Sequence, residues 1–172
     1  MDAFESLVRK HQQRVYALCR RLTGAHQSAD DLAQETFIKA YFALSRFDPA
    51  WPLYPWLRKI ATNAGLNYIK ARGRERSLED GSLGDRRTPR AAPADDPEER
   101  LERAEFQARF DGAVEALPPD QKSVFVLRFH EGLSYEEISR TLDLPLGTVM
   151  SRLNRARQKL KGLLTDAPAR GA

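Results

Sequence analysis

The chain lacks the side-chain groupings with which most proteins bind metals or perform catalysis. Cys19 is the single cysteine, so no disulfide can form within the chain. The three histidines, His11, His26 and His130, have no cysteine or second histidine at metal-ligand spacing. No Ser/His/Asp arrangement and no glycine-rich phosphate loop is present. We therefore expect no catalytic activity, no bound metal and no cofactor, with Cys19 as a small core residue rather than a redox centre.

Long apolar runs, a signal-peptide pattern and convincing strand patterns are also missing. The chain should therefore not insert into a membrane, and we expect a cytoplasmic protein. Because apolar residues recur at helical rather than alternating spacing, the predicted fold class is all-α. At 172 residues the chain can form two small helical domains, each with its own core.

Positive charge is concentrated at the two ends of the chain. Residues 1–72 carry 11 basic and 6 acidic side chains, and residues 146–172 carry 6 and 1. Residues 101–145 carry 5 basic and 9 acidic side chains. This distribution predicts two contacts with a polyanion, separated by a segment that avoids it.

The stretch from Ser134 to Leu160 has the pattern of a helix-turn-helix. Ser134 and Glu137 form a capping box that should begin a short helix, and Asp143-Leu144-Pro145 should end it. A longer helix follows. Its predicted inward stripe is Val149, Leu153, Ala156, Leu160 and Leu163. Its outward row is Thr148, Ser151, Arg152, Arg155 and Lys159. Guanidinium and hydroxyl groups suit base edges and phosphates, so this row predicts DNA binding, with a merely solvated basic face as the alternative.

Two amphipathic helices are predicted near the N-terminus, one over residues 2–23 that Gly24 should end and one from near Ser28 to about Leu44. The second has a predicted core stripe that includes Phe37 and Tyr41. An outward row on it mixes acidic and apolar residues: Asp31, Glu35, Ile38 and Phe42. This row predicts either packing against a neighbouring helix or a docking surface for a basic protein partner.

An aromatic, proline-rich loop follows at residues 46–56, with Phe47, Trp51, Tyr54 and Trp56. It could cap a small core, or it could stack on unpaired bases. The next predicted helix, residues 55–72, starts with Pro55 in its first turn and presents a basic face with Asn63.

Residues 73–96 predict a flexible linker, because they combine Gly, Pro, Ser and charge without periodicity. Beyond it, a helix should run from Pro97 to Leu117 with Leu101, Ala104 and Ala108 facing inward. A further helix begins at Asp120, and together with the helix-turn-helix it completes a four-helix unit. The predicted domains are residues 1–72 and 97–165, with a disordered tail at 166–172.

Four stretches together resemble bacterial extracytoplasmic-function (ECF) sigma factors, which contain only the second and fourth sigma regions. These stretches are DDLAQETFIKAY, the aromatic loop with WLRKIATN, LPPDQKSVFVLRFHEGLSYEEIS and LPLGTVMSRLNRAR. Their order and spacing carry the resemblance, which covers nearly the whole chain outside the linker and the last residues. It implies a transcription initiation factor that binds core RNA polymerase and directs it to specific promoters. An anti-sigma factor is implied as a further partner.

The resemblance also implies a role for each surface. The residues implied to bind the clamp helices of the largest polymerase subunit are Asp31, Gln34, Glu35, Ile38 and Phe42. Those implied to open and hold the minus-ten element are Trp51, Tyr54, Trp56, Arg58, Lys59, Asn63 and Lys70. Those implied to recognise the minus-thirty-five element are Thr148, Ser151, Arg152, Asn154, Arg155 and Lys159. Contact with the flap of the second-largest subunit is implied as well. Met150 and Asn154 depart from the residues that often occupy these positions, which leaves the promoter sequence open.

Two other functions fit parts of the sequence. A stand-alone helix-turn-helix regulator would usually need a dimerisation helix, which is not evident. A decoy that only sequesters an anti-sigma factor would not need the basic recognition face.

Overall fold

The structure, a computed structural model, describes residues 3–78 and 97–165. All regular structure within these two ranges is helical, which confirms the predicted all-α class. Most of the predicted linker and the predicted tail at 166–172 lie outside the described residues. No helix in the described ranges is long and apolar enough to cross a membrane.

The N-terminal unit consists of three helices, α1 (Ala3–Thr23), α2 (His26–Ala43) and α3 (Leu53–Leu78), with a 3-10 turn at Leu44–Arg46. Gly24 ends α1 as predicted, and its φ of +78° is one that L side chains rarely adopt. Gly65 allows α3 to approach α1 closely, since a Cβ built there would lie 2.7 Å from Leu22 Cδ1. The largest fully buried side chains of this unit are Val15, Leu18, Leu22 and Leu57.

Three predictions for this unit were wrong in detail. Helix α2 begins at His26, two residues before Ser28, because the chain enters it directly from the Gly24 turn through an extended Ala25. The Ser28 hydroxyl instead bonds the Tyr68 hydroxyl at 2.6 Å. Tyr41, predicted in the core, is 56% exposed. Helix α3 begins at Leu53 rather than at residue 55, so Tyr54 and Trp56 of the predicted loop are helical. It also continues six residues past the predicted end at 72, as residues 73–78 contain no proline to stop it.

The C-terminal unit contains α4 (Pro97–Glu115), α5 (Pro119–Phe129), α6 (Tyr135–Leu142) and α7 (Leu146–Thr165). Two clusters of buried side chains hold it together. One joins α4, α5 and α7 through Val114, Phe125 and Leu160. The other joins α5, α6 and α7 through Leu127, Ile138 and Leu153. Helix α7 therefore rests on a continuous buried stripe, as the sequence pattern predicted.

The predicted inner face of α4 was wrong over its first half. Leu101 is 61% exposed and Ala108 is also exposed. The Arg109 guanidinium donates to the Leu164 carbonyl in the last described turn of α7, so α4 residues before Arg109 extend past the described part of that helix. Leu163 was likewise predicted inward but is 40% exposed, and Leu164 packs against the core in its place.

The two units pack against each other. Helix α3 contacts α5 and α6, and α1 contacts α5. Val126 of α5 is fully buried and belongs to the core of the N-terminal unit. The described residues therefore form one closed arrangement rather than two separated lobes.

The capping box at the start of α6 gives a direct test of local stability. We expect Ser134→Ala to lower the free energy of unfolding by about 1 kcal/mol, because it removes the acceptor of the Glu137 backbone N–H. Ser134→Asp keeps an acceptor there and should cost much less. Urea unfolding followed by circular dichroism compares the two, and equal losses would show that the cap contributes nothing.

Candidate nucleic-acid and polymerase interfaces

The helix-turn-helix begins at a complete capping box. The Ser134 backbone N–H donates to Glu137 Oε2 at 2.8 Å, and the Glu137 N–H donates to Ser134 Oγ at 3.1 Å. The Ser134 amide accordingly lowers the pKa of Glu137. Asp143 then adopts the left-handed conformation, with φ of 52°, and closes the predicted turn. The Ser139 hydroxyl donates to the Leu144 carbonyl and fixes the turn against α6.

Helix α7 presents most of the predicted DNA-contacting residues to solvent. Ser151, Asn154, Arg155 and Lys159 are exposed, and Thr148 is half-buried. Met150, which is 48% exposed, lies next to Ser151 in the sequence. The row is therefore a surface that can enter a groove of DNA without rearranging the core.

Arg152 differs from the rest of this row. Its guanidinium lies 3.6 Å from Asp120 Oδ2, and its side chain is only 23% exposed. Asp120 also pairs with Lys70 of α3, with 3.0 Å between Nζ and Oδ1. One carboxylate thus joins a predicted minus-thirty-five residue to a predicted minus-ten residue, a link that sequence analysis missed.

Helix α2 presents an exposed apolar patch beside acidic groups. Ile38 is 57% exposed and Phe42 is 78% exposed. Asp31, Gln34 and Glu35 are exposed on the same helix. No helix among the described residues covers Ile38 and Phe42. Packing against a neighbouring helix, one of the two interpretations of this row, is therefore excluded for the described part of the chain.

Tyr41 enlarges the α2 patch beyond the sequence prediction. Its ring lies 5.7 Å from that of Phe42 and 5.2 Å from that of Phe4, both in edge-to-face geometry. The patch therefore contains two aromatic rings and one aliphatic side chain, a composition typical of the centre of a protein–protein interface.

The aromatic loop divides its side chains between core and solvent. Trp51 is 68% exposed, whereas Tyr54 is 7% exposed. The Trp56 ring packs on Phe47 at 5.0 Å between centroids. Tyr54 and Trp56 therefore cap the core as one interpretation predicted, while the exposed Trp51 leaves base stacking as a prediction.

Tyr54 lies in a polar cluster at the junction of the two units. Its hydroxyl donates to Glu131 Oε2 at 2.9 Å. The Arg14 guanidinium lies 3.6 Å from the ring centre, and the His11 ring stacks at 5.9 Å. Burial, and then the Glu131 carboxylate, raise the pKa of Tyr54. Arg58, another predicted minus-ten residue, is also buried, so neither side chain reaches DNA in this arrangement.

Two further basic residues of α3, Lys59 and Lys70, face the C-terminal unit. Lys59 Nζ lies 2.9 Å from Asp143 Oδ1 and 3.3 Å from the Arg140 carbonyl oxygen. Asn63, by contrast, is exposed. The structure therefore places the predicted minus-ten residues on α3, apart from Trp51 just before it, and pairs Lys59 and Lys70 with carboxylates of the C-terminal unit.

Cys19 lies in the core, as expected. It is fully buried, and burial raises the pKa of its thiol to about 12. Because the thiolate is the reactive form, this environment makes the residue inert at neutral pH.

Comparison with known proteins identifies both units. The family model "Sigma-70 region 2" matches residues 7–75, and "Sigma-70, region 4" matches residues 107–160. The RNA polymerase sigma-H factor of Pseudomonas aeruginosa is 38% identical over 162 residues, which cover 92% of this chain and 84% of that protein. The ECF RNA polymerase sigma factor SigE of Mycolicibacterium smegmatis is 40% identical over 95% of this chain, which spans 62% of that longer protein.

Solved structures agree with these relationships. The sigma factor RpoE from Bartonella quintana, in complex with the anti-sigma factor NepR, matches with a TM-score of 0.71 and 26% identity, over 98% of this chain and 100% of that one. CnrH, in complex with the cytosolic domain of CnrY, matches with a TM-score of 0.63 and 28% identity, over 96% and 90% of the two chains.

The class of protein follows from the two matched sigma regions, which occur in the order found in sigma factors, and from the relatives above. The chain belongs to the ECF group of the sigma-70 family of RNA polymerase sigma factors.

Proposed function

We propose that this chain binds core RNA polymerase and directs it to a specific set of promoters. The observation that carries the proposal is the exposed patch of Ile38, Tyr41 and Phe42 on α2, beside Asp31 and Glu35. A helix that needed only one buried face would gain nothing from these side chains on its other side. We assign the patch and Gln34 to the clamp helices of the largest polymerase subunit, and the C-terminal unit to the flap of the second-largest subunit.

The minus-thirty-five element is the proposed target of α7. Arg155 and Lys159 supply charge, and Thr148, Ser151 and Asn154 supply hydrogen-bonding groups that adapt to bases or phosphates. Arg152 joins this set once it separates from Asp120. The capped α6 would lie across the DNA backbone, as first helices of this motif do.

The minus-ten element is the proposed target of the aromatic loop and α3. Trp51 can stack on an unpaired base, Asn63 can pair with a base edge, and Lys59 and Lys70 can neutralise phosphates. Holding an unstacked base stabilises the open DNA relative to the duplex, so promoter opening needs binding energy and no catalytic residue. Tyr54, Trp56 and Arg58 complete the proposed set, with Tyr54 and Arg58 buried in the closed arrangement.

Control by an anti-sigma factor in the cytoplasm is proposed as well. The support is the similarity over nearly the whole chain to RpoE and CnrH, whose structures were solved with NepR and with CnrY respectively. An inhibitor that bound the exposed α2 patch would compete directly with polymerase for it.

Gel filtration with core RNA polymerase tests the proposal without knowledge of the promoter. We expect a stable one-to-one complex. If the folded, uninhibited protein elutes separately from the polymerase, the sigma-factor function is wrong. Sequence-selective DNA binding by the chain alone would then indicate a stand-alone regulator, and its absence would indicate a decoy.

A further inference from the structure

We propose that a cleft between the aromatic loop, the start of α3 and helix α6 binds a small anionic aromatic molecule, of the class of a nucleoside monophosphate. The cleft has a volume of about 290 Å³ and is lined by residues of both units. This volume is close to the lower limit of small-molecule sites, which is about 300 Å³. The cleft therefore suits one ring system with one anionic group rather than a larger cofactor.

The apolar part of the lining comes from the end of the aromatic loop and the first turn of α3. It consists of Trp51, Pro52 and Pro55. The Trp51 side chain is 68% exposed, so a molecule that enters from solvent can reach it. Indole rings stack on planar rings, and every nucleic-acid base offers such a face. These residues therefore favour a ligand with a flat ring.

The charged part of the lining is mainly cationic. Arg58 and Lys59 come from α3, and Arg140 comes from α6. Lys59 is paired with Asp143, with 2.9 Å between Nζ and Oδ1. Among the described lining residues, Glu137 is the single carboxylate. Three cations against one lining carboxylate make a local positive potential, which attracts an anion.

Arg58 gives the strongest indication that the ligand carries an anionic group. It lines the cleft, yet it is only 8% exposed. Its Nε is buried and has no hydrogen-bond partner in the part of the chain that the structure describes. A buried guanidinium with an unpaired donor is costly, and phosphate oxygens match guanidinium donors well. A phosphate group in the cleft would bring an anionic acceptor to this side chain.

The cleft shares three residues with the proposed minus-ten set, namely Trp51, Arg58 and Lys59. Arg140 lines the cleft but does not belong to that set. A nucleotide within a DNA strand has the same ring and phosphate as the free molecule, so both could use the shared residues. The free molecule should therefore compete with single-stranded DNA, and Arg140 should contribute to binding of the free molecule alone.

Isothermal titration calorimetry on the full-length chain tests the proposal, with adenosine 5′-monophosphate (AMP) as the probe. Adenosine and inorganic phosphate, titrated separately, carry only the ring or only the anion. The test variants are Trp51→Ala and Arg140→Ala, whose side chains are exposed, so the fold should persist. The matched controls on α4 are Phe106→Ala and Arg103→Ala, which remove an exposed ring and an exposed charge. Circular dichroism checks that all four variants are folded.

We expect AMP to bind one-to-one, and adenosine and phosphate to bind about tenfold more weakly or less. Each test variant should bind AMP about tenfold more weakly, since one stacking or charge-assisted contact is lost. Both controls should bind AMP like the wild-type chain. The proposal is wrong if AMP does not bind, or if the controls lose as much affinity as the test variants. It is also wrong if phosphate alone binds as tightly as AMP, because the cleft would then be a simple anion site.

Fluorescence anisotropy with a labelled single-stranded oligonucleotide of mixed sequence separates the free molecule from a DNA strand. AMP should weaken oligonucleotide binding by the wild-type chain and have much less effect on Arg140→Ala. If Arg140→Ala instead weakened oligonucleotide and AMP binding by the same factor, the cleft would be a DNA site and the proposal would be wrong.

Co-elution with core RNA polymerase keeps this proposal distinct from the proposed function. Trp51→Ala and Arg140→Ala should both bind polymerase, because neither alters the α2 patch. Polymerase binding by a chain that does not bind AMP would remove the ligand site and leave the proposed function intact. AMP binding by a chain that does not bind polymerase would do the reverse.

Discussion

Ile38→Ala/Phe42→Ala is expected to abolish stable co-elution with core RNA polymerase, with affinity reduced by about a hundredfold or more. Large apolar side chains at the centre of an interface each contribute about 2 kcal/mol or more when they are truncated. The two side chains are 57% and 78% exposed in the free protein, so their loss should leave the fold unaffected. Titration of labelled protein with core enzyme measures the change directly.

Leu101→Ala/Phe106→Ala provides a matched control for this experiment. These residues of α4 are 61% and 56% exposed and lie outside both matched sigma regions. The control variant should retain nearly full affinity for polymerase. If both variants lost affinity equally, binding would depend on general surface hydrophobicity, and the assignment of the α2 patch would be wrong.

Arg155→Ala is expected to reduce affinity for the minus-thirty-five element by about 5- to 150-fold, while binding to core polymerase is unchanged. A bidentate arginine–base contact accounts for about 1–3 kcal/mol of discrimination. Arg155 is exposed on α7 and, within residues 3–78 and 97–165, has no ion pair with the N-terminal unit to release first. The promoter can be found by selecting random duplexes with the reconstituted holoenzyme. Affinities of wild-type and variant holoenzymes for the selected duplex then give the effect.

Arg157→Ala is the charge-matched control on the same helix. The Arg157 guanidinium lies 5.5 Å from the centre of the Phe129 ring, which directs it toward α5 rather than outward. Its loss should lower affinity only through the general electrostatic attraction between protein and DNA. If the loss of affinity were larger for Arg157→Ala than for Arg155→Ala, a different face of α7 would contact DNA and the proposed orientation would be wrong.

Local features of this fold were predictable because the residues that determine them are close in sequence. The capping box links Ser134 to Glu137 within one turn, and Gly24 ends α1 through its own backbone conformation. The buried stripe of α7 follows from helical periodicity alone. The outward position of Ile38 and Phe42 was predictable for the same reason, but the sequence left open whether a neighbouring helix covers them.

The exposure of a helix side chain depends on whether a neighbouring helix reaches it, and the local sequence pattern does not contain this information. Leu101 lies on the apolar side of α4, yet the described part of α7 does not cover it. Tyr41 continues the core stripe of α2, yet it is open to solvent beside Phe4. Periodicity gives the direction of a side chain from its own helix, whereas burial requires a partner on that side.

The sequence by itself determined the helices, their caps, the helix-turn-helix and the family. Only the tertiary structure decided which charged groups meet. Tyr54 and Glu131 are 77 residues apart, and Lys59 and Asp143 are 84 apart. The sequence shows a basic N-terminal region and an acidic region over residues 101–145. Attraction between opposite charges does not specify which residue of one region pairs with which residue of the other. The buried position of Val126 selects the register that is formed, because close packing requires a specific fit and Coulomb attraction does not.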